Sequence, residues 1–251
     1  MRKSFAAVRP AVLRRLRRAA FTAAVVSLAM QVAGGAAGAP ADARGVTGCA
    51  DVRLAYDAAP TGKSWSERTG YGPWSSVHNG FGSTRVEDTS QGRRLWLAPR
   101  AAADASETFS SLVRSVRSFA NVDLTVGFET LAQLRRPRPN PWEVAWVIWA
   151  YRDNDHFYYF ILKPNGWELG KEDPAYRGKQ RFLASSSARR FPIGAWYRLR
   201  VQHVGDEIAV WIGDRLAVRF RDRQRPYRSG AVALYVEDAR AVFGPVTLRG
   251  C

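Results

Sequence analysis

From residue 120 onward, apolar side chains fall on every second position. In 120–131, Val122, Leu124, Val126 and Phe128 alternate with Asp123, Thr125 and Glu129. Tyr197, Leu199 and Val201 alternate with Arg198, Arg200 and Gln202. Ile208, Val210 and Ile212 follow, then Leu216, Val218 and Phe220, then Val232, Leu234 and Val236, and a last run spans 241–248. A strand sends successive side chains to opposite faces, so this period describes strands with one buried face and one wet face. Turn residues agree. Gly205-Asp206 and Gly213-Asp214 suit two-residue hairpins, and Pro164-Asn165-Gly166 makes a third turn, centred on Asn165-Gly166. Only 101–107 carries a helical period, and the less periodic segment 49–94 adds edge strands and loops. Many short strands at close turn spacing predict an all-β sandwich or jelly roll rather than a parallel α/β sheet.

The N-terminus reads differently. Seven basic residues and no acidic one precede an apolar run at 19–33, too short for a span of about 20 residues. Small residues follow, with Ala41-Asp42-Ala43 before Arg44 and a weaker site at Ala37-Gly38-Ala39. This is the pattern of a secretory signal peptide over 1–43, which predicts an extracellular protein with no membrane span after cleavage and a single domain over 44–251. Cleavage would take seven basic residues and one acidic residue from the 38 and 22 present, leaving 31 against 21 and a net charge of +10. Such a surface suits an anionic glycan or simple solubility. Nucleic acid is excluded by compartment and by the lack of any binding motif.

Two cysteines, Cys49 and Cys251, bracket the expected domain. In an oxidising compartment they read as one disulfide, with two free thiols as the alternative. Pairing would lay the first and last strands side by side.

The stretch 137–183 holds the chemistry. Trp142, Trp146, Trp149 and Trp167 stand there with Tyr151, Tyr158, Tyr159 and Tyr176. Two expected strands, 142–151 and 156–163, are apolar on both faces, so each is either covered twice or lines an aromatic cleft. A hairpin centred on Asn165-Gly166 sets Lys163 opposite Glu168 and Tyr159 opposite Glu172. Glu143, Trp149 and Tyr151 then share a face of the neighbouring strand. Glycoside cleavage needs two carboxyls, so Glu143 with Glu168 is the first candidate catalytic pair, and Glu172 or Asp173 can replace either. The expected glycan contacts are Trp142, Trp149, Tyr151, Tyr159, Lys163, Trp167, Lys171 and Arg181. The bland reading of Lys163 and Glu168 is a cross-strand ion pair.

On the segments 157–171 (FYYFILKPNGWELGK), 191–201, 208–222 and 229–246 (SGAVALYVEDARAVFGPV), the chain resembles the concanavalin A-like lectin/glucanase superfamily. The nearest likeness is to laminin-G-like and 3-keto-disaccharide-hydrolase-type domains, loosely grouped with family 16 glycosidases, over roughly 108–250. The resemblance implies a jelly-roll sandwich of two antiparallel sheets, a glycan-facing sheet and, in some members, a structural calcium at the rim. Departures accompany it. The alternating acidic signature of the glucanases is absent, an aspartate common after the last Phe is replaced by Gly244, and the paired strand motifs of jelly-roll alginate lyases are missing.

No cofactor is required on this reading. Asp153 and Asp155, flanking Asn154, and Asp238 beside Glu237 are weak candidates for calcium, against plain Asx or strand-end turns. The arginines at 219, 221, 223, 225 and 228 read as a solvated edge or a polyanion contact. The functional expectation is a secreted protein acting on extracellular polysaccharide. Glycoside hydrolase comes first, a non-catalytic carbohydrate-binding module second, and a lyase acting on an anionic glycan third.

Overall fold

The computed structural model describes Val46, residues 48–104 and residues 106–251; the expected leader over 1–43 lies outside them. The first strands are β1 (Ala50–Leu54), β2 (Gly70–Tyr71), β3 (Trp74–His78), β4 (Ser83–Thr89), β5 (Gly92–Ala98) and β6 (Ser110–Phe119). Next come β7 (Val122–Gln133), β8 (Ala145–Asp153), β9 (His156–Lys163), β10 (Gly166–Glu172) and β11 (Gln180–Ser186). The chain ends with β12 (Trp196–Val204), β13 (Glu207–Ile212), β14 (Arg215–Arg221), β15 (Gly230–Glu237), β16 (Ala239–Phe243) and β17 (Val246–Gly250). The strands of these two sheets pair antiparallel.

A nine-stranded sheet runs β14-β13-β12-β7-β16-β5-β4, with β17 also on β7 and β1 on β17. An eight-stranded sheet runs β11-β10-β9-β8-β15-β6-β3-β2. Alternation decides what lies between them. Leu124, Val126 and Phe128 of β7, Leu199 and Val201 of β12, and Ile208 and Val210 of β13 meet Val147 and Trp149 of β8 and Tyr158, Phe160 and Leu162 of β9. The expected two-sheet sandwich is therefore present. Cys49 and Cys251 form the expected disulfide, with Cα atoms 4.7 Å apart. Beside it β1 pairs with β17 over Ala50–Gly250 to Leu54–Val246.

Four local expectations change. The run at 241–248 is two strands, because Pro245 lacks a ladder donor. Both halves lie on the long β7, with Gly244 N bonded to Gly127 O at 2.8 Å between them. Of the expected helix at 101–107, the described residues 101–104, 106 and 107 hold bends and a turn and no helix. The expected strand from Trp142 begins at Ala145, after a turn. The hairpin register moves by two residues: the turn is Pro164-Asn165, Lys163 pairs with Gly166, and Tyr159 pairs with Gly170. Gly166 takes φ 139°, and a Cβ there would meet Ser186 O at 2.0 Å, so it is a paired strand residue that only glycine can supply. A two-residue shift preserves the face of every side chain.

Candidate functional site

The eight-stranded sheet has a second apolar cluster on the face turned away from the core. Trp146, Ile148, Tyr151, Phe157, Tyr159, Ile161, Ala231 and Ala233 pack there with Leu112 and Val144. The register strings these positions into rows across the sheet. One row is Phe182–Gly170–Tyr159–Ile148–Ala233–Arg114–Ser75, and another is Glu168–Ile161–Trp146–Tyr235–Leu112–His78. A sheet face exposed to water normally carries polar residues at these positions. Here they are aromatic and largely covered: Tyr159 is fully buried and Trp146 is 6% exposed, with Tyr159 against Trp146 at 4.5 Å and Trp146 against Tyr235 at 5.4 Å.

A polar rim borders the cluster. Glu168 accepts from Tyr159 OH at 2.8 Å and from Lys163 Nζ at 2.6 Å, and Gln180 Nε2 donates to Tyr159 OH at 2.7 Å. The expected Lys163–Glu168 pair thus exists, as a diagonal rather than a directly opposed pair. Gly170 leaves room for the Tyr159 ring, whose hydroxyl would sit 2.3 Å from a Cβ. On the edge strand β11 the Phe182 side chain stands 66% exposed in the same row. Trp142, 38% exposed in the turn before β8, accepts through its carbonyl from Trp146 Nε1.

Glu172 differs from the other carboxylates. Burial pushes its carboxyl up to about 8, the charges of Asp155 and Glu237 push the same way, and Lys179 opposes them. Burial likewise raises Glu237, which accepts a hydrogen bond from Tyr235 OH at 2.9 Å. Both groups lie on the outer face.

Several expected site residues sit elsewhere. Trp149 is fully buried between the sheets, stacked on Tyr158 at 5.9 Å. Tyr151 is on the outer face, although simple alternation would have kept it with Trp149. Ala150 between them adopts φ 50° at a bulge, which flips the parity of everything after it. Lys171 shares the parity of Leu169 and points into the sandwich, fully buried, with its Nζ 2.7 Å from Asp222 Oδ2. Arg181, beside it on β11, reaches the other oxygen of Asp222 at 3.1 Å. Trp167 also faces inward, stacked on Phe160 at 5.4 Å. Asp173 is buried and accepts from Arg225 at 3.3 Å, so that arginine is not a free edge charge. Glu143 is fully buried in the turn before β8, bonded to Arg135 and to both nitrogens of Asn140. Glu143 and Glu168 are each committed to a cation.

The residues suggested for calcium have partners within the chain. Asp153 accepts from His156 Nδ1 at 2.7 Å, Asp155 pairs with Lys179 at 3.1 Å, and Asp238 is buried against Arg135. Among the described residues no group of three or more His, Cys, Asp or Glu side chains is placed to hold a metal.

Sequence reasoning did not reach Arg114, Arg152, Gln180 or Phe182, and it placed Asn154 only in a possible calcium turn. With Tyr151 and Ser229 some of these line an open depression of about 410 Å³ beside the aromatic cluster. Phe182 was accessible in principle from the parity of β11. Arg114 lies in β6, far along the chain, and no local signal brings it to Tyr151.

No protein-family model matches the chain, and no curated protein matches it in sequence. Its backbone is similar to solved structures. The carbohydrate-binding module CBM66 from Bacillus subtilis is 18% identical, with a TM-score of 0.52 over 71% of this chain and 96% of that one. A Bacillus licheniformis β-glucanase is 12% identical, with a TM-score of 0.50 over 76% of this chain and 100% of that one. These likenesses show the fold alone, a jelly-roll sandwich of two antiparallel sheets. Among the described residues no helix is long and apolar enough to cross a membrane.

Proposed function

We propose that this protein is a secreted carbohydrate-binding protein whose ligand lies across the outer face of the eight-stranded sheet. One observation carries the reading: the outward positions of β8, β9 and β15 hold Trp146, Tyr159 and Tyr235 instead of polar residues, rimmed by the hydrogen-bonding groups of Lys163, Glu168 and Gln180. Sugars present apolar C–H faces beside hydroxyl groups, and rings edged by donors and acceptors match both. Phe182 and Trp142 are the exposed rings that would meet the sugar. The two fold neighbours are by name a carbohydrate-binding module and a glucanase, which makes glycans the class to test first.

Binding is favoured over hydrolysis because Glu143 and Glu168 are each tied to a cation. The test is calorimetric titration against a panel of polysaccharides. Phe182→Ala and Trp142→Ala should each weaken binding about tenfold while the melting temperature holds, since stacking on one ring contributes roughly 0.5–1.5 kcal/mol beyond buried area. Wild-type affinity in both variants would remove this face as the site.

A second reading rests on Glu172. A carboxyl that keeps its proton near neutral pH can protonate a leaving glycosidic oxygen. Glu168 lies four residues along the same strand, about 13 Å of backbone rise, which leaves Asp155 and Glu237 as the carboxylates close enough to act on its charge. Mass spectrometry of soluble products decides it. Hydrolytic oligosaccharides that disappear with Glu172→Gln would make the protein a glycosidase, with activity falling as pH rises through about 8.

A further inference from the structure

We propose that the depression beside Tyr151 is a subsite for the negatively charged group of an acidic sugar, a carboxylate or a sulfate ester. The proposal rests on the reading of this face as glycan-binding.

Its origin is a fault line in the sheet. Pairing shifts between Trp149 and Asp153 in the β8–β9 ladder, and between Ala231 and Ala233 in both the β15–β8 and β15–β6 ladders. Three adjacent ladders lose register at one level. Ala150 takes the left-handed region there, φ 50°, and a Cβ on Gly230 would come within 2.3 Å of the Ala150 carbonyl carbon. Non-glycine residues in that region cost of order 1–3 kcal/mol and persist where surrounding packing enforces them, often next to binding sites. The shift opens a depression of about 410 Å³, lined in part by Arg114, Ser118, Tyr151, Arg152, Asn154 and Ser229. Small-ligand sites occupy about 300–1,000 Å³.

The charges in it are unbalanced. Arg114 donates to Ser115 O at 3.2 Å and Arg152 to Ser229 O at 3.3 Å, both backbone carbonyls. Among the described residues neither guanidinium has a carboxylate partner. The acid in the lining, Asp153, is already engaged by His156. Tyr151 donates to Asn154 Oδ1 at 2.7 Å, which leaves the amide nitrogen of Asn154 for a ligand. Two planar guanidinium groups with hydroxyl and amide donors match the in-plane oxygens of an oxyanion.

Position ties the anion to a sugar. Arg114 shares the cross-sheet row of the exposed Phe182, five strand spacings away, or about 24 Å. A saccharide chain of several units stacked on Phe182 and running along the row reaches Arg114 with a later unit.

The experiment measures binding of oligogalacturonate, dextran sulfate and neutral dextran by calorimetry at several salt concentrations. At least one charged ligand should bind, with affinity falling as salt rises. Arg114→Gln and Arg152→Gln should each weaken it about tenfold, as loss of one charged hydrogen bond predicts, with unchanged melting temperatures. Arg114→Lys, which keeps charge but not the fork, should fall between. Preference for oligogalacturonate assigns the carboxylate, and preference for dextran sulfate the ester. Charged ligands held equally well by both Gln variants would overturn the proposal. Binding confined to neutral dextran and lost in Phe182→Ala would overturn it while leaving the glycan-binding reading intact. Failure to bind any of the three would overturn both.

Discussion

Lys171 and Glu172 are adjacent on β10 and have opposite fates, because one faces the core and the other the outer surface. Lys171 is fully buried with its Nζ on Asp222 and on the carbonyls of Gln224 and Arg225, and Tyr158 OH donates to the same Asp222 oxygen at 2.7 Å. Burial works to raise the Asp222 carboxyl, yet the bonds from Lys171 and Tyr158 hold it below the usual range. Lys171→Met would leave that carboxylate without its main cation and should cost about 3–5 kcal/mol in urea denaturation. A loss under 1 kcal/mol would mean Arg181 alone suffices. Glu172 gives a pH prediction. Its folded carboxyl titrates near 8 against an ordinary 4.5, so the folded chain keeps a proton that the unfolded chain releases. Stability should therefore fall as pH rises between about 4.5 and about 8. Glu172→Gln should flatten that part of the profile, measured as melting temperature against pH; an unchanged slope would assign it to another group. The residue types here were legible in sequence, but not their partners. Asp222 comes from the far sheet, fifty-one positions along the chain from Lys171.

Among elements, β8, β9 and β10 show how far periodicity reaches. The two-sided apolar pattern of β8 and β9 predicted strands covered twice or facing a cleft, and the core lies on one face with the aromatic cluster on the other. Alternation then placed Tyr159, Lys163 and Glu168 on one face even though the turn was misplaced, since a shift of two leaves parity alone. It failed after Trp149, where the bulge at Ala150 inserts an odd step. Bulges arise from cross-strand fit and leave little trace in composition. Two substitutions probe these features. Gly170→Ala must displace the Tyr159 ring and should destabilise by about 1–3 kcal/mol, with a changed near-ultraviolet dichroism signal. Ala150→Gly should stabilise by about 1 kcal/mol, because glycine enters the left-handed region without penalty; a loss of stability there would contradict the strained backbone.

For the molecule as a whole, the Cys49–Cys251 disulfide is the clearest test. The disulfide spans a sequence separation of 202 and sits where β1 meets β17 at the side of β7. Chain-entropy reasoning gives it roughly 5 kcal/mol at most. The Cys49→Ser/Cys251→Ser protein should unfold at lower guanidinium concentration by a comparable margin, and a shift under 1 kcal/mol would mean that the unfolded chain retains structure of its own. Sequence alone determined the all-β class, the strands from β12 to β15 and the hairpins at Gly205-Asp206 and Gly213-Asp214, and it offered Cys49 and Cys251 as a disulfide pair. Each depends on local periodicity, turn chemistry or the mere presence of two cysteines. Only the tertiary structure decided that Trp149, Trp167 and Lys171 face inward, that Glu143 is held by Arg135, and that Arg114 and Arg152 line one depression with Tyr151. These outcomes depend on strand order and on the bulge at Ala150, and both are settled by contacts between residues far apart in the chain.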